Sequence, residues 1–177
     1  MKRKSVYVRI AVPQDDDAVL AVEREAFGGT VEAELVAALI AGDAYIPDLS
    51  LVAEHDGSIV GHVLFTRARA GAVDAVLLAP LAVAPDWQGR GVGSALAREG
   101  LRRAAEMGFG LALVLGHPGY YPRFGFEPAE PFGIMPPYPV EPSEAWMVVE
   151  LAPGTLEKAA GTVRVAEALM HEEMWRE

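Results

Sequence analysis

Seven consecutive residues, Gln88-Gly89-Arg90-Gly91-Val92-Gly93-Ser94, are the part of this sequence whose types and spacing point most directly to chemistry. Glycines at alternate positions let a backbone approach a phosphate closely. A helix that begins in such a loop adds free amides and the positive end of its dipole. Arg90 supplies a charge-assisted contact. The competing reading is a tight turn ahead of a helix, and glycines alone do not separate the two. With Cys at 0, no thiolate can carry a covalent acyl group, no disulfide can form and no thiolate metal site exists, so acyl chemistry here would take another route.

The elements around this loop read as strand, loop, helix, strand. Val73 to Leu78 and Leu81 to Val83 are strand-like and interrupted at Pro80, which cannot donate to a ladder and predicts an edge, a bulge or a break. From Gly91, the residues Val92, Leu96, Gly100 and Ala104, with Ala97, Leu101 and Ala105, form an apolar stripe, while Arg98, Glu99, Arg102, Arg103 and Glu106 face water. Leu111 to Leu115 is a continuous apolar run between glycines, as in a strand buried on both faces.

Upstream, Val6, Val8 and Ile10 alternate as a half-buried strand ended by Pro13. The run Asp15, Asp16, Asp17 suits a helix N-terminus, and Gly28-Gly29 stops that helix. A second helix is expected from Val31 to Ile40, closed by Gly42. Leu51 to Glu54 and Ile59 to Phe65 flank an Asp56-Gly57 turn and predict an antiparallel hairpin. Downstream, Pro128 to Pro142 should be irregular and exposed, Trp146 to Leu151 a strand, and Val163 to Glu177 a short strand and a helix.

A chain of 177 residues, 51% hydrophobic, suffices for one sizeable core and not for two full domains. Lys plus Arg at 15 against Asp plus Glu at 25 gives a net charge of -10, which repels a phosphate backbone and excludes nucleic acid as the expected partner. The acidity fits a cationic or amine-bearing substrate. Many soluble proteins are acidic simply to stay dispersed, however, and that reading is the stronger. Arg9 interrupts the apolar start and no small-residue cleavage site follows, so no signal peptide is read. The stretch Ala70 to Pro85 is too short and too interrupted to cross a bilayer. A soluble, cytoplasmic protein with no membrane partner is the expectation.

The wider pattern decides the reading of the glycine loop. Gln88-x-x-Gly91-x-Gly93, between a strand and an amphipathic helix, resembles the pyrophosphate-binding motif of the GNAT acetyltransferase superfamily. Tyr121-Pro122-Arg123-Phe124-Gly125-Phe126, after the next strand, is similar to the family's tyrosine-x-x-x-glycine-phenylalanine segment, and Gly116 to Tyr121 is most like a subgroup of bacterial predicted N-acetyltransferases. The resemblance implies an α/β (α+β) acyl-CoA N-acyltransferase fold. Its central mixed, mostly antiparallel sheet is flanked by helices, with one domain over residues 1–152 and a C-terminal extension, 153–177, packing on it.

The activity implied is transfer of an acetyl group from acetyl-CoA, as co-substrate and with no metal, to a small-molecule or protein amine by direct attack in a ternary complex. Gln88, Gly89, Arg90, Gly91, Val92, Gly93 and Ser94 would hold the pyrophosphate. Leu81, Ala82 and Val83 would line the pantetheine arm, with the Val83 amide near the thioester oxygen. Tyr121 matches the family's proposed general acid; a phenol of reference pKa about 10 stays protonated at neutral pH and can serve a thiolate of pKa about 8.5. The alternative for Tyr121 is packing beside Phe124 and Phe126.

The base stays open. His117 has a suitable reference pKa of about 6.5 but equally suits shaping the turn at Pro118. Glu25 is either an amine-binding group or a solvated helical residue. Asp74 is either a perturbed acid or a solvent-facing residue. Dimerisation is common in the family, and no residue pattern demands it here. Two rivals remain. A dinucleotide fold needs a third glycine where this chain has Ser94, and lacks its acidic ribose partner. A catalytically silent acyl-CoA-binding module would keep the loop and lose the transfer.

Overall fold

A computed structural model describes residues 5–176 of the chain; the expectations for Met1 to Lys4 and for Glu177 lie outside the described residues. Strands β1 (Tyr7–Ile10), β2 (Tyr45–His55), β3 (Ser58–Ala70), β4 (Val73–Val83), β5 (Leu111–Leu115), β6 (Glu127–Pro128) and β8 (Trp146–Glu150) form a seven-stranded sheet in the order β1-β2-β3-β4-β5-β8-β6. Strands β7 (Ile134–Met135) and β9 (Gly161–Thr162) pair separately. Within the large sheet only β4 and β5 are parallel, because helix α3 (Val92–Glu106) carries the chain back over the sheet between them. Helices α1 (Asp16–Phe27) and α2 (Val31–Ile40) connect β1 to β2. This is the mixed, mostly antiparallel sheet flanked by helices that the sequence resemblance implied.

Alternation along the strands divides the core in two. Leu51, Val63, Phe65, Val76 and Leu78 face α3, whose Leu96, Ala97, Leu101 and Ala104 cover them. Leu64, Ala68, Ala75, Leu77, Leu111 and Leu113 face the opposite way, against Leu39 of α2 and the last part of the chain. Gly100 lies where α3 crosses Phe65, and a Cβ there would run into the Phe65 ring. Gly100→Ala is therefore expected to destabilise: overpacking costs about 1–3 kcal/mol, of which better helix propensity returns about 1. Thermal denaturation should show a fall of a few degrees.

At the N-terminal side, Asp15 accepts two bonds from the Arg9 guanidinium, at 2.7 and 2.9 Å, and one from the Val12 amide at 2.8 Å. The Arg9 bonds, chiefly, hold the Asp15 carboxyl below its ordinary range against the cost of burial. A depressed folded-state pKa stabilises above the unfolded value of about 3.9, and that stability is lost as pH falls through the folded value. Asp15→Asn should cost about 1–3 kcal/mol at neutral pH and flatten the acid limb of a stability-versus-pH curve measured by urea unfolding.

Four expectations are corrected. Strands β2 and β3 run to 11 and 13 residues, beyond the predicted hairpin arms, because Tyr45 and Ser50, on either side of an irregularity, also pair with Thr66 and Leu64, and Thr66 to Ala70 pair with β4. Ala41, not Gly42, caps α2, in the right-handed helical conformation. The proline-rich stretch is irregular but not wholly exposed: Ala129 and Ile134 are fully buried, and the Trp146 indole donates to the Ile134 carbonyl at 3.1 Å. After Thr162 there is no α-helix among the described residues, only the short turns Glu167–Leu169 and Glu172–Trp175. Reciprocal 2.9 Å bonds between Arg69 and Arg164 hold the backbone extended, and the remaining stretch is too short to coil on its own. Trp175 then lies edge to face with Trp146, ring centroids 5.5 Å apart.

Candidate active site

The site begins where β4 leaves β5. The two pair from Ala75 with Leu111 to Leu78 with Val114 and no further. Opposite, on β3, Phe65 pairs with Leu78 and Val63 with Leu81, so Ala79 and Pro80 bulge against the single residue Leu64. This is the irregularity expected at Pro80. Beyond it β4 is held by β3 alone. The Ala84 amide donates to the Val60 carbonyl at 2.9 Å. Antiparallel alternation therefore turns the peptide groups of Ala82 and Ala84 toward β3, and those of Leu81 and Val83 toward the open edge. Ala82, with its side chain buried, is the member of the predicted trio whose peptide does not face that edge.

The edge leads to the start of α3. Gly89 and Gly91 have φ of 72° and 84°, in the left-handed region that favours glycine, and Gly91 is the N-cap. No side chain caps this helix, so its first amides are available to an anion. Gln88 folds back, its Nε2 donating to the Val83 carbonyl at 3.0 Å, which ties the loop to the strand. Val92 is buried in the core and offers only its backbone; Ser94 is half-buried, and Arg90 lies over the Trp87 ring, 5.5 Å from its centroid.

A cleft of about 360 Å³ runs along this edge, lined by Ala26, Phe27, Leu81, Val83, Gln88, Gly93, Gly116, His117, Tyr120 and Tyr121. It brings together six of the residues singled out in the sequence: Leu81, Val83, Gln88, Gly93, His117 and Tyr121. Gly116 permits this, since a Cβ there would strike the Tyr121 ring. Tyr121 packs edge to face on Tyr120 and Phe126, with centroids at 5.0 and 5.8 Å. His117 Nδ1 accepts from the Gly119 amide at 3.0 Å, which fixes the neutral tautomer as Nε2–H. In that state the free ring position donates rather than accepts. Glu25 is exposed and does not line the cleft; its neighbours Ala26 and Phe27 do. Asp74 faces solvent and binds Arg69 at 2.6 Å. Among the described residues no group of three or more His, Asp or Glu could hold a metal ion, and no helix is long and apolar enough to cross a membrane.

Sequence reasoning missed two features. Tyr120 carries no role of its own in the sequence reading, yet its hydroxyl lies 2.8 Å from where a Cβ on Gly93 would sit, directly over the start of α3. Glu23 and His62, 39 residues apart, form a buried pair: His62 Nδ1 to Glu23 Oε1 is 2.7 Å, and His62 Nε2 to Ser50 Oγ is 3.1 Å. Both Glu23 and His62 are 0% exposed. Burial raises the Glu23 pKa, and the bond to His62 partly opposes it. Glu23 Oε2 has no hydrogen-bond partner among the described residues, an omission that costs on the order of 1–3 kcal/mol. A signal existed: Glu23 shares the buried helical face of Val19 and Val22, where a carboxylate is out of place.

An open strand edge running into an uncapped helix, with aromatic side chains on the facing wall, defines a site for an extended ligand that ends in an anion. A family model described as the acetyltransferase (GNAT) family matches residues 17–126, and the chain belongs to that family. It is 46% identical over 155 residues to the uncharacterized N-acetyltransferase YjhQ of Escherichia coli K12, covering 82% of this chain and 84% of that protein. Among solved structures, the Escherichia coli N-acetyltransferase YhbS in complex with CoA superposes with a TM-score of 0.87 at 31% identity, covering 94% of this chain and 92% of that one. A GNAT family acetyltransferase from Brucella melitensis in complex with acetyl-CoA gives 0.76 at 30% identity, covering 94% and 99%.

Proposed function

We propose that this protein transfers an acetyl group from acetyl-CoA to a primary amine by direct attack in a ternary complex. The observation that carries the reading is the outward-facing peptide edge of Leu81 and Val83, which leads without interruption to the uncapped start of α3. The two solved relatives, one with CoA and one with acetyl-CoA, support it.

In this reading the amides from Gly91 to Ser94 take the diphosphate. Leu81 and Val83 pair with the pantetheine arm as an added strand would, and the Val83 amide faces the thioester oxygen as it gains charge. Tyr121 gives its proton to the departing thiolate. His117, with Nδ1 engaged by Gly119, contributes an Nε2–H donor beside the acceptor rather than a base. The acceptor itself enters past Ala26 and Phe27; Phe27 is 46% exposed and gives that mouth an apolar lip.

Calorimetric titration with acetyl-CoA, using NAD as a control, followed by thiol-release assays on a panel of primary amines, tests the reading. Saturable binding that NAD does not reproduce, with amine-dependent release, is expected. Folded protein that does not bind acetyl-CoA would overturn the reading, and binding without release for any amine would favour the silent module.

A further inference from the structure

We infer that Glu23, backed by His62 and Ser50 beneath the cleft, is the group that receives the proton of the acceptor amine. The inference rests on the acetyl transfer proposed above, and concerns a pair outside the phosphate loop.

Three features of the geometry lead here. Glu23 is three and four residues before Ala26 and Phe27, so one face of α1 carries the carboxylate and then the two cleft-lining side chains. His62 pairs across the sheet with Ala82, whose chain neighbours Leu81 and Val83 line the same cleft. The pair therefore lies under α1, on the face of the sheet opposite α3, beside the strand that lines the cleft. Finally, Glu23 uses only Oε1 on His62, leaving Oε2 without a partner although fully buried. A carboxylate that served packing alone would have both oxygens satisfied.

The surroundings suit a proton acceptor. With Glu23 ionised, His62 Nδ1–H donates to it and Nε2 accepts the Ser50 hydroxyl. Glu32 of α2 adds a like charge, Asp16 of α1 acts on Tyr45, and β4 presents only apolar Ala82 at this register. Burial and Glu32 both favour the protonated carboxyl, which gives Glu23 an affinity for protons closer to neutrality than that of an ordinary carboxylate.

In the reaction, an ammonium passes one proton through a solvent molecule to Glu23. The neutral nitrogen bonds to the thioester carbon, and the carbon–sulfur bond breaks. The thiolate takes the Tyr121 proton, and the second amine proton restores the Tyr121 phenol. Products are the amide, CoA thiol and protonated Glu23.

The test compares wild type with Glu23→Gln and Glu23→Asp across pH, using whichever amine of the panel gives thiol release. Glu23→Gln should lower kcat/KM by about 100-fold at neutral pH, with CoA affinity within about twofold, and recover as pH nears the amine pKa of about 10, where deprotonation needs no help. Glu23→Asp should restore part of the activity. A wild-type pH profile in Glu23→Gln, or an equal loss at every pH, would sink the inference. Independently of any acceptor, 13C NMR of the Glu23 carboxyl in the CoA-bound wild type should show it changing protonation above the ordinary carboxylate range; an invariant signal, or one that titrates as an exposed carboxylate does, overturns the inference. Wild type that binds CoA but acetylates nothing counts against the acetyl-transfer reading instead, and the NMR titration then decides the role of the pair alone.

Discussion

Replacing Gly91 with glutamate is expected to abolish measurable acetyl-CoA binding while leaving the protein folded. Gly91 has φ 84° and caps α3, and nothing lies within 4 Å of a Cβ built there. The folding cost is therefore the backbone conformation alone, about 1–2 kcal/mol. The binding cost is electrostatic. A carboxylate at the uncapped helix start occupies the field that would hold the diphosphate and repels it. At 4 Å and an effective dielectric of about 20 two like charges cost about 4 kcal/mol, so even after screening the affinity should fall at least ~100-fold. Gly91→Ala carries the backbone cost without the charge and should lose no more than about 10-fold. Calorimetry on both variants checks this, and equal losses would mean that the anion is held elsewhere.

Tyr121→Phe should lower kcat by about 100-fold or more with little change in acetyl-CoA affinity. The ring keeps its packing on Tyr120, Phe124 and Phe126, so the fold has no reason to move. In the proposed mechanism the substitution removes the proton that Tyr121 would give to the thiolate. Tyr120→Phe provides the contrast: its hydroxyl lies over Gly93, and its removal should weaken cofactor binding more than it slows turnover. Single-turnover and steady-state kinetics on the two variants separate these roles. A Tyr121→Phe enzyme with wild-type kcat would move the general acid elsewhere.

The parts of the fold that the sequence made legible were those governed by local periodicity. The stripe Val92 to Ala105 and the apolar run Leu111 to Leu115 are short-range patterns, and α3 and β5 begin where those patterns do. Pro80 announced a bulge because a missing amide is a property of one residue. What escaped depended on distant partners. The full lengths of β2 and β3 come from pairing with neighbours, and the tail stays extended because Arg164 bonds to Arg69, 95 positions earlier. At the site the glycine loop stood out by its spacing and Tyr121 by the family resemblance, and Gln88, Gly93 and Tyr121 do line one cleft, whereas Glu23 and His62 meet only through the packing of α1 on the sheet.

The parting of β4 from β5 also bears on self-association. Unpaired strand edges at the rim of a sheet recruit other chains and must be blunted with charge, proline or bulges. Here the outward-facing peptide groups of Leu81 and Val83, of which the Val83 carbonyl already accepts from Gln88, lie inside the sheet, between two strands that are still joined lower down. An incoming strand from another molecule would have to thread past the Tyr120 and Tyr121 rings, whereas a slender, flexible ligand arm needs only to slide in from the end. In the proposed reading the chain thus keeps a sticky strip for its ligand without displaying one to its neighbours.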